Sequence, residues 1–305
     1  MKRTSPGALA AFALVAAGSL SLGCSGGDAE PSGAGGSAPA AEPEFGDDRP
    51  VSVRVPSGYD AASPAPLVIL LHGFGASGFL QDVIFRISTT ADAKGYFFAA
   101  PDGTVDEDGS RFWNATDACC NFHGSDVDDV AYLTKLVHDI EAAYSIDPKR
   151  IYFVGHSNGG FMSHRLACDA ATDVAAIVSV AGAVYADPAK CNPAQPVAVL
   201  QIHGTNDGSV AYEGSSGVIS QPGALATVTT WAGKNGCGAA PTELPGSLDL
   251  EGSIAGTETD VTRFEGCEPG GAAELWTIPG GTHVPNFVPE FPDLVWDFFA
   301  AHPKP

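Results

Sequence analysis

One short stretch constrains this chain more than any other. The apolar run Ile151-Tyr152-Phe153-Val154 leads directly into Gly155-His156-Ser157-Asn158-Gly159-Gly160, and a helical pattern follows to Ala170. A strand that turns this sharply into a helix forces its middle residue into a strained backbone conformation. Glycines two positions to either side relieve the crowding. The Ser157 hydroxyl then stands above the sheet at the N-terminus of a helix, whose dipole favours developing negative charge. A glycine-rich turn without chemistry is the plain alternative. The strand-turn-helix context argues against it, because a bare G-x-S-x-G is common by chance and one framed this way is not.

The rest of the chain supplies a frame for such a turn. Val51 to Val55 alternates like an edge strand, and Leu67 to Leu71 is a continuous apolar run of the kind buried on both faces. Tyr96–Ala100, Arg150–Val154, Val174–Val180, Val197–Ile202 and Leu275–Ile278 read as further strands. Between them lie helical patterns at Asp126–Tyr144, Asn158–Ala170, Ala224–Trp231 and Phe291–Ala300. The first of these is expected to be capped by Asp126 and to bury Val127, Val130, Leu133, Leu136, Val137 and Ile140. Strands alternating with helices predict an α/β fold with a mostly parallel central sheet covered on both faces. No internal repeat and no second domain is evident.

A serine hydroxyl near neutral pH needs a general base. In folds built around this turn, the acid and then the base follow the serine, on loops after later strands. Two segments fit. Gln201-Ile202-His203 leads into Gly204-Thr205-Asn206-Asp207, which places Asp207 just past a strand end. Leu275-Trp276-Thr277-Ile278 leads into Pro279-Gly280-Gly281-Thr282-His283, and His283 is the last histidine before the closing helix. Asp207 is therefore expected to orient His283, with Asp293 and Glu213 as fallback acids. His203 is expected to pack or hydrogen-bond near the Asp207 loop, and His138 and His164, within helices, to meet local groups or solvent; His156 is the variable elbow position and His302 lies in the tail. Oxyanion donors must be backbone N–H groups. Asn158 follows the nucleophile, and Phe74 sits in the His72-Gly73-Phe74-Gly75 turn after the first central strand.

Together these segments resemble the polyhydroxybutyrate depolymerase and feruloyl esterase-like family of α/β-hydrolases. The resemblance runs from about Val51 to Phe299. It includes Leu70-Leu71-His72-Gly73, Pro101-Asp102-Gly103-Thr104, Phe112-Trp113-Asn114, Cys119-Cys120, Val127 to Val130, Gly155 to Gly160, Arg165 to Cys168, His203 to Asp207, Asn235-Gly236-Cys237 and Gly281-Thr282-His283. It implies triad roles for Ser157, Asp207 and His283 and oxyanion roles for Phe74 and Asn158. It also implies hydrolysis of feruloyl or acetyl esters of plant polysaccharide, or of hydroxyalkanoate oligoesters, without metal or organic cofactor. Many members carry a His-x-Trp-Pro run, where this chain has His283-Val284-Pro285-Asn286. Trp113, Phe112 and Phe287 are the aromatic residues expected to replace that surface. A serine peptidase of the prolyl-oligopeptidase type is the runner-up, disfavoured by the lack of an accessory domain. A non-catalytic surface-binding lipoprotein is the third reading, disfavoured by an intact-looking triad.

Charge and cysteine usage set the surroundings. With 15 basic and 36 acidic residues the formal charge is −21, a field that repels nucleic acid and anionic lipid. Lys2 and Arg3 followed by the apolar Ala8–Leu22 read as an export signal over residues 1–23. Cys24 resembles the acylated cysteine of bacterial lipoproteins, so any membrane contact is expected through a lipid there; an ordinary secretory signal is the alternative. Residues 24–44 read as a Gly/Ser/Ala/Pro-rich tether, and 45–305 as the catalytic domain. Six further cysteines suggest disulfides in an oxidising compartment. Cys237 and Cys267 bracket one excursion and are expected to pair. Cys119 and Cys120 are expected to take separate partners such as Cys168 and Cys191 rather than each other. Asp106-Glu107-Asp108-Gly109 lacks the alternating ligands of a calcium loop and reads as a solvated turn.

Overall fold

In the computed structural model, which describes residues 44–216 and 220–305, a ten-stranded sheet forms the middle of the molecule. In chain order the strands are β1 (Glu44–Phe45), β2 (Val51–Arg54), β3 (Ala65–Leu71), β4 (Phe97–Ala99), β5 (Thr104–Val105), β6 (Arg111–Phe112) and β7 (Ile146–His156). They continue with β8 (Ala176–Val180), β9 (Ala198–Gly204), β10 (Gly214–Ser215), β11 (Gln221–Pro222), β12 (Pro241–Leu248), β13 (Thr259–Phe264) and β14 (Ala272–Ile278). The sheet order is β1-β2-β4-β3-β7-β8-β9-β14-β13-β12. The six strands from β4 to β14 in that order run parallel, and antiparallel strands flank them on both sides. The pairs β5–β6 and β10–β11 are small separate hairpins. The export signal, Cys24 and the tether expected before residue 44 lie outside the described residues.

Alternation along the parallel strands divides the core into two layers. Leu67, Ile69 and Leu71 of β3 point into one layer with Ile151 and Phe153 of β7. Helices α3 (Asp129–Ala143), α4 (Asn158–Asp169) and α5 (Ala224–Lys234) cover that face through Leu136, Ile140, Phe161, Leu166, Val228 and Trp231. Val68 and Leu70 point into the other layer with Tyr152 and Val154. There α1 (Gly78–Phe85), the single turn α2 (Ala91–Lys94) and α6 (Phe291–Ala301) pack through Phe85, Ala91, Val295, Phe298 and Phe299. The α/β expectation holds, and strand and helix positions follow the hydrophobic pattern closely.

Three details differ from expectation. Helix α3 begins at Asp129, and Asp128 rather than Asp126 caps it by accepting from the Ala131 N–H at 3.0 Å. The preceding residues belong to a loop instead: the Val127 carbonyl accepts from Asn114 Nδ2, and Ser125 bonds Asn121. The excursion between Cys237 and Cys267 holds an antiparallel hairpin, β12–β13, that its sequence pattern did not announce. Residues Thr242–Ser247 of β12 are exposed, so no apolar alternation marks them.

The third correction concerns cysteines. Cys237 pairs with Cys267 as expected, but Cys119 pairs with Cys120, and Cys168 pairs with Cys191. Cys168, near the C-terminal end of α4, and Cys191 are both buried, with Cα atoms 4.8 Å apart. That spacing suits a direct bond, so each satisfies the other and neither is available to the Cys119-Cys120 pair. The Cys168–Cys191 link spans a sequence separation of 23. By loop-closure entropy it contributes about 3 kcal/mol. Replacing both with serine is expected to lower the urea-unfolding free energy by about that amount; a change below measurement error contradicts a stabilising link.

Candidate active site

The turn between β7 and α4 is built as the sequence requires. Ser157 has φ 52° and ψ −118°, a left-handed conformation that a side-chain-bearing residue adopts at a cost of about 1–3 kcal/mol. Its N–H donates to the Val180 carbonyl at 2.8 Å, and its carbonyl accepts from Phe161 N–H at 2.9 Å. A Cβ on Gly155 would lie 2.1 Å from the Gly159 carbonyl oxygen, and a Cβ on Gly159 would lie 2.2 Å from that of Leu71. Both contacts are with backbone, which cannot swing aside, so only glycine fits at these two positions.

The loops after β9 and β14 bring Asp207 and His283 to the serine. The two loops are joined to each other: Thr205 N–H donates to Ile278 O, Asn206 N–H to Gly281 O, and Gly280 N–H to Thr205 Oγ1. His283 Nε2 lies 3.0 Å from Ser157 Oγ, and His283 Nδ1 lies 2.8 Å from Asp207 Oδ2. Asp207 Oδ1 accepts from the N–H groups of Ser209 and Val210, both at 2.8 Å. Burial alone would raise the Asp207 carboxyl. Donors from His203, His283, Val210 and Ser209 outweigh it and hold the group well below the usual carboxylate range. Asp207 is thus an ionised partner for an imidazolium on His283. The fallback acids lie elsewhere: Asp293 pairs with Lys94 at 2.8 Å, and Glu213 is exposed.

The turn after β3 lies against the same serine. A Cβ on Gly73 would be 3.5 Å from Ser157 Cβ. Gly73 N–H donates to Gln81 Oε1 and Gly75 N–H to Arg111 O, so both neighbours of the Phe74 N–H are engaged. Asn158 is the first residue of α4, and its N–H has no carbonyl within its own helix. Its side chain is structural: Oδ1 accepts from Trp113 N–H at 2.7 Å, and Nδ2 donates to Trp113 O at 2.9 Å. The structure therefore brings together all five residues expected at the centre: Ser157, Asp207, His283, Phe74 and Asn158.

It does not bring Phe112, Trp113 or Phe287 to a substrate surface. Phe112 and Trp113 are 1% and 0% exposed, and Phe287 at 7% stacks on Phe291 with ring centres 3.7 Å apart. Trp113 instead stacks near Tyr132 and donates from Nε1 to His72 O. These are packing residues. The exposed apolar side chains beside the site are Phe74, Phe122 and Val284. Phe74 and Phe122 meet edge to face with ring centres 5.2 Å apart.

Several supports were not visible in sequence. His156, at the elbow's variable position, donates from Nε2 to the His283 carbonyl at 2.9 Å. Buried Glu251, in the β12–β13 connection, accepts from Asn286 N–H at 2.7 Å. Arg86 donates to the carbonyls of Phe287 and Val288. Three separate elements thus hold the segment that follows His283. A histidine one residue before the serine, or a lone glutamate in a polar loop, carries no periodic signal that could have marked it.

A model of the phospholipase/carboxylesterase family matches residues 55–218. The chain belongs to that family. Among relatives of this carboxylesterase-family chain, feruloyl esterase B of Piromyces equi is 31% identical over 77% of the chain, which spans 42% of that relative's length. Feruloyl esterase D of Neurospora crassa is 27% identical over 84% of the chain and 82% of its own length. The solved acetyl xylan esterase from Aspergillus awamori superposes with a TM-score of 0.63 at 16% identity, covering 82% of this chain and 93% of that one. At that identity the likeness is one of fold, the α/β-hydrolase fold.

Burial gives the site a pH signature in stability. Desolvation lowers His156 and His164 to about 4, against their ordinary 6.5. Between these values the unfolded chain binds protons that the folded one refuses, so stability is full above pH 6.5 and falls as pH drops toward 4. Each group contributes a slope approaching about 1.4 kcal/mol per pH unit. Urea unfolding from pH 7 to pH 5 is expected to show this decline, and His156→Gln is expected to make it shallower. Constant stability across that window contradicts neutral buried imidazoles.

Proposed function

We propose that the protein is a serine carboxylic ester hydrolase that works through an acyl-enzyme. The observation that carries this reading is the continuous line Ser157–His283–Asp207, with hydrogen-bond distances of 3.0 and 2.8 Å, at the N-terminus of α4. His283 takes the Ser157 proton at Nε2 as Oγ attacks the ester carbonyl carbon. Asp207 holds the proton on Nδ1 and stabilises the imidazolium. The Phe74 and Asn158 N–H groups receive the oxyanion, and the α4 dipole adds to them. Collapse of the tetrahedral intermediate expels the alcohol, which takes the proton from His283. Water then repeats the sequence on the acyl-enzyme, releases the acid and restores Ser157.

The substrate class we infer is a feruloyl or acetyl ester of plant polysaccharide, or a hydroxyalkanoate oligoester. Feruloyl esterases among the relatives support the first, and the exposed Phe74–Phe122 pair offers an aromatic acyl group a stacking surface. We further propose that the enzyme is exported. Three disulfides in a domain of this size support an oxidising compartment.

Ser157→Ala is expected to reduce turnover of p-nitrophenyl acetate by more than about a thousandfold while leaving the unfolding transition intact. Near-native turnover in that variant overturns the assignment. A panel of methyl ferulate, acetylated xylan and hydroxybutyrate oligomers, run beside a peptide anilide, distinguishes the ester classes from peptidase activity. On methyl ferulate, Phe122→Ala is expected to raise KM roughly three- to tenfold with kcat little changed, the loss of one aromatic contact. An unaltered KM removes Phe122 from the acyl site.

A further inference from the structure

Four buried polar side chains that take no part in the proposed chemistry form a hydrogen-bonded file behind Asp207. They are Trp231 on α5, His164 on α4, and Gln201 and His203 on β9, none more than 2% exposed. Trp231 Nε1 lies 3.0 Å from His164 Nδ1, and His164 Nε2 lies 3.0 Å from Gln201 Oε1. Gln201 Nε2 lies 3.2 Å from His203 Nδ1 and 2.9 Å from the Gly182 carbonyl oxygen. His203 Nε2 faces the Val210 carbonyl at 2.9 Å and Asp207 Oδ2 at 3.3 Å.

The direction of every bond in the file is determined. An indole N–H only donates, so His164 Nδ1 accepts and the His164 proton sits on Nε2. That proton goes to Gln201 Oε1, which leaves the amide nitrogen to donate to His203 Nδ1. The Gly182 carbonyl fixes the same amide orientation independently, because a carbonyl only accepts. His203 therefore carries its proton on Nε2. The Val210 carbonyl demands the same tautomer from the far end. Reading from either end gives one answer: the His203 N–H donates to the Val210 carbonyl at 2.9 Å, and Asp207 Oδ2, the oxygen that also serves His283, lies 3.3 Å from the same nitrogen.

We propose that His203 is a positioning residue for the hydrolysis: the Gln201 amide and the Val210 carbonyl fix its proton on Nε2, and the positive edge that this N–H presents 3.3 Å from Asp207 Oδ2 keeps that oxygen in line with His283 Nδ1. The inference rests on the triad reading above. Asp207 Oδ1 is tied by two backbone N–H groups, but one tied oxygen leaves the other free to rotate about it. The opposite His203 tautomer would set a lone pair against both the Val210 carbonyl and the carboxylate, and push Oδ2 away. His203 is shielded from solvent, and its polar partners are Gln201, the Val210 carbonyl and Asp207, so its effect on the reaction passes through Asp207.

The test compares His203→Leu, His203→Gln and Trp231→Phe with the native enzyme and Ser157→Ala, on p-nitrophenyl acetate. His203→Leu removes the donor and is expected to lower kcat roughly tenfold or more, the worth of a hydrogen bond to a charged group, with KM little changed. His203→Gln returns an N–H donor and is expected to recover most of that loss. Trp231→Phe removes only the outermost donor; the Gly182 and Val210 carbonyls still fix Gln201 and His203, so kcat is expected to stay near the native value. Nitrogen-15 spectra of labelled histidine are expected to show the Nε2–H tautomer at His203 in the native enzyme and in Trp231→Phe alike. A native kcat in folded His203→Leu, or an Nδ1–H form at His203 in the native enzyme, overturns the inference. Where His203→Leu fails to fold, His203→Met takes its place in the same comparison. An active Ser157→Ala defeats the triad reading itself, whereas an inactive one beside a native kcat in the folded His203 variants defeats only this inference.

Discussion

Everything at the site depends on a single backbone constraint, the left-handed Ser157 wedged between β7 and α4. Its N–H is held by Val180 of β8 and its carbonyl by Phe161 of α4, so two neighbouring elements share the strain. The glycines at 155 and 159 admit backbone to within about 2 Å of where a Cβ would stand, and thereby let α4 start directly above the strand. If that helix started a residue later, the Asn158 N–H would no longer lie next to the hydroxyl. The strain thus places the Ser157 hydroxyl, the helix dipole and the Asn158 N–H at one point.

The parallel sheet does the remaining convergence. Strands β3, β7, β9 and β14 share a direction, so their following loops emerge at one edge, and each loop delivers one component. Convergence alone is too coarse for hydrogen-bond distances. The precision comes from cross-links between loops: three hydrogen bonds tie the Asp207 loop to the His283 loop. His156, Glu251 and Arg86 then hold the chain around and beyond His283 from three sides. The buried file from Trp231 to His203 belongs to the same pattern, in which helices covering one face of the sheet reach through polar side chains toward Asp207.

Most of the frame was legible because it obeys short-range rules. Leu67–Leu71 is buried on both faces and reads as an unbroken apolar run; α3 and α6 carry one apolar stripe each. What escaped had no such rule. The β12 strand is almost wholly exposed at the sheet edge and contains Pro245 and Gly246, so neither alternation nor propensity marked it. The start of α3 was misplaced by three residues because Asp126, Asp128 and Asp129 all qualify as caps in sequence, and only the contact of Asp129 with Arg49 and Asn114 selects among them. The aromatic residues Phe112, Trp113 and Phe287 have side chains suited equally to a binding surface and to a core, and burial decided for the core.

The sequence by itself determined the elbow, the placing of Ser157, Asp207 and His283 each after a strand, and the layered sheet that carries them, since each depends on neighbours within one element or one turn. The disulfide partners, the aromatic surface beside the site and the residues that hold Asp207 and His283 in line were decided only by tertiary structure. Those depend on which loops meet in space. Cys168 meets Cys191, Phe74 meets Phe122, and His203 meets Asp207 across distances that no periodicity along the chain encodes.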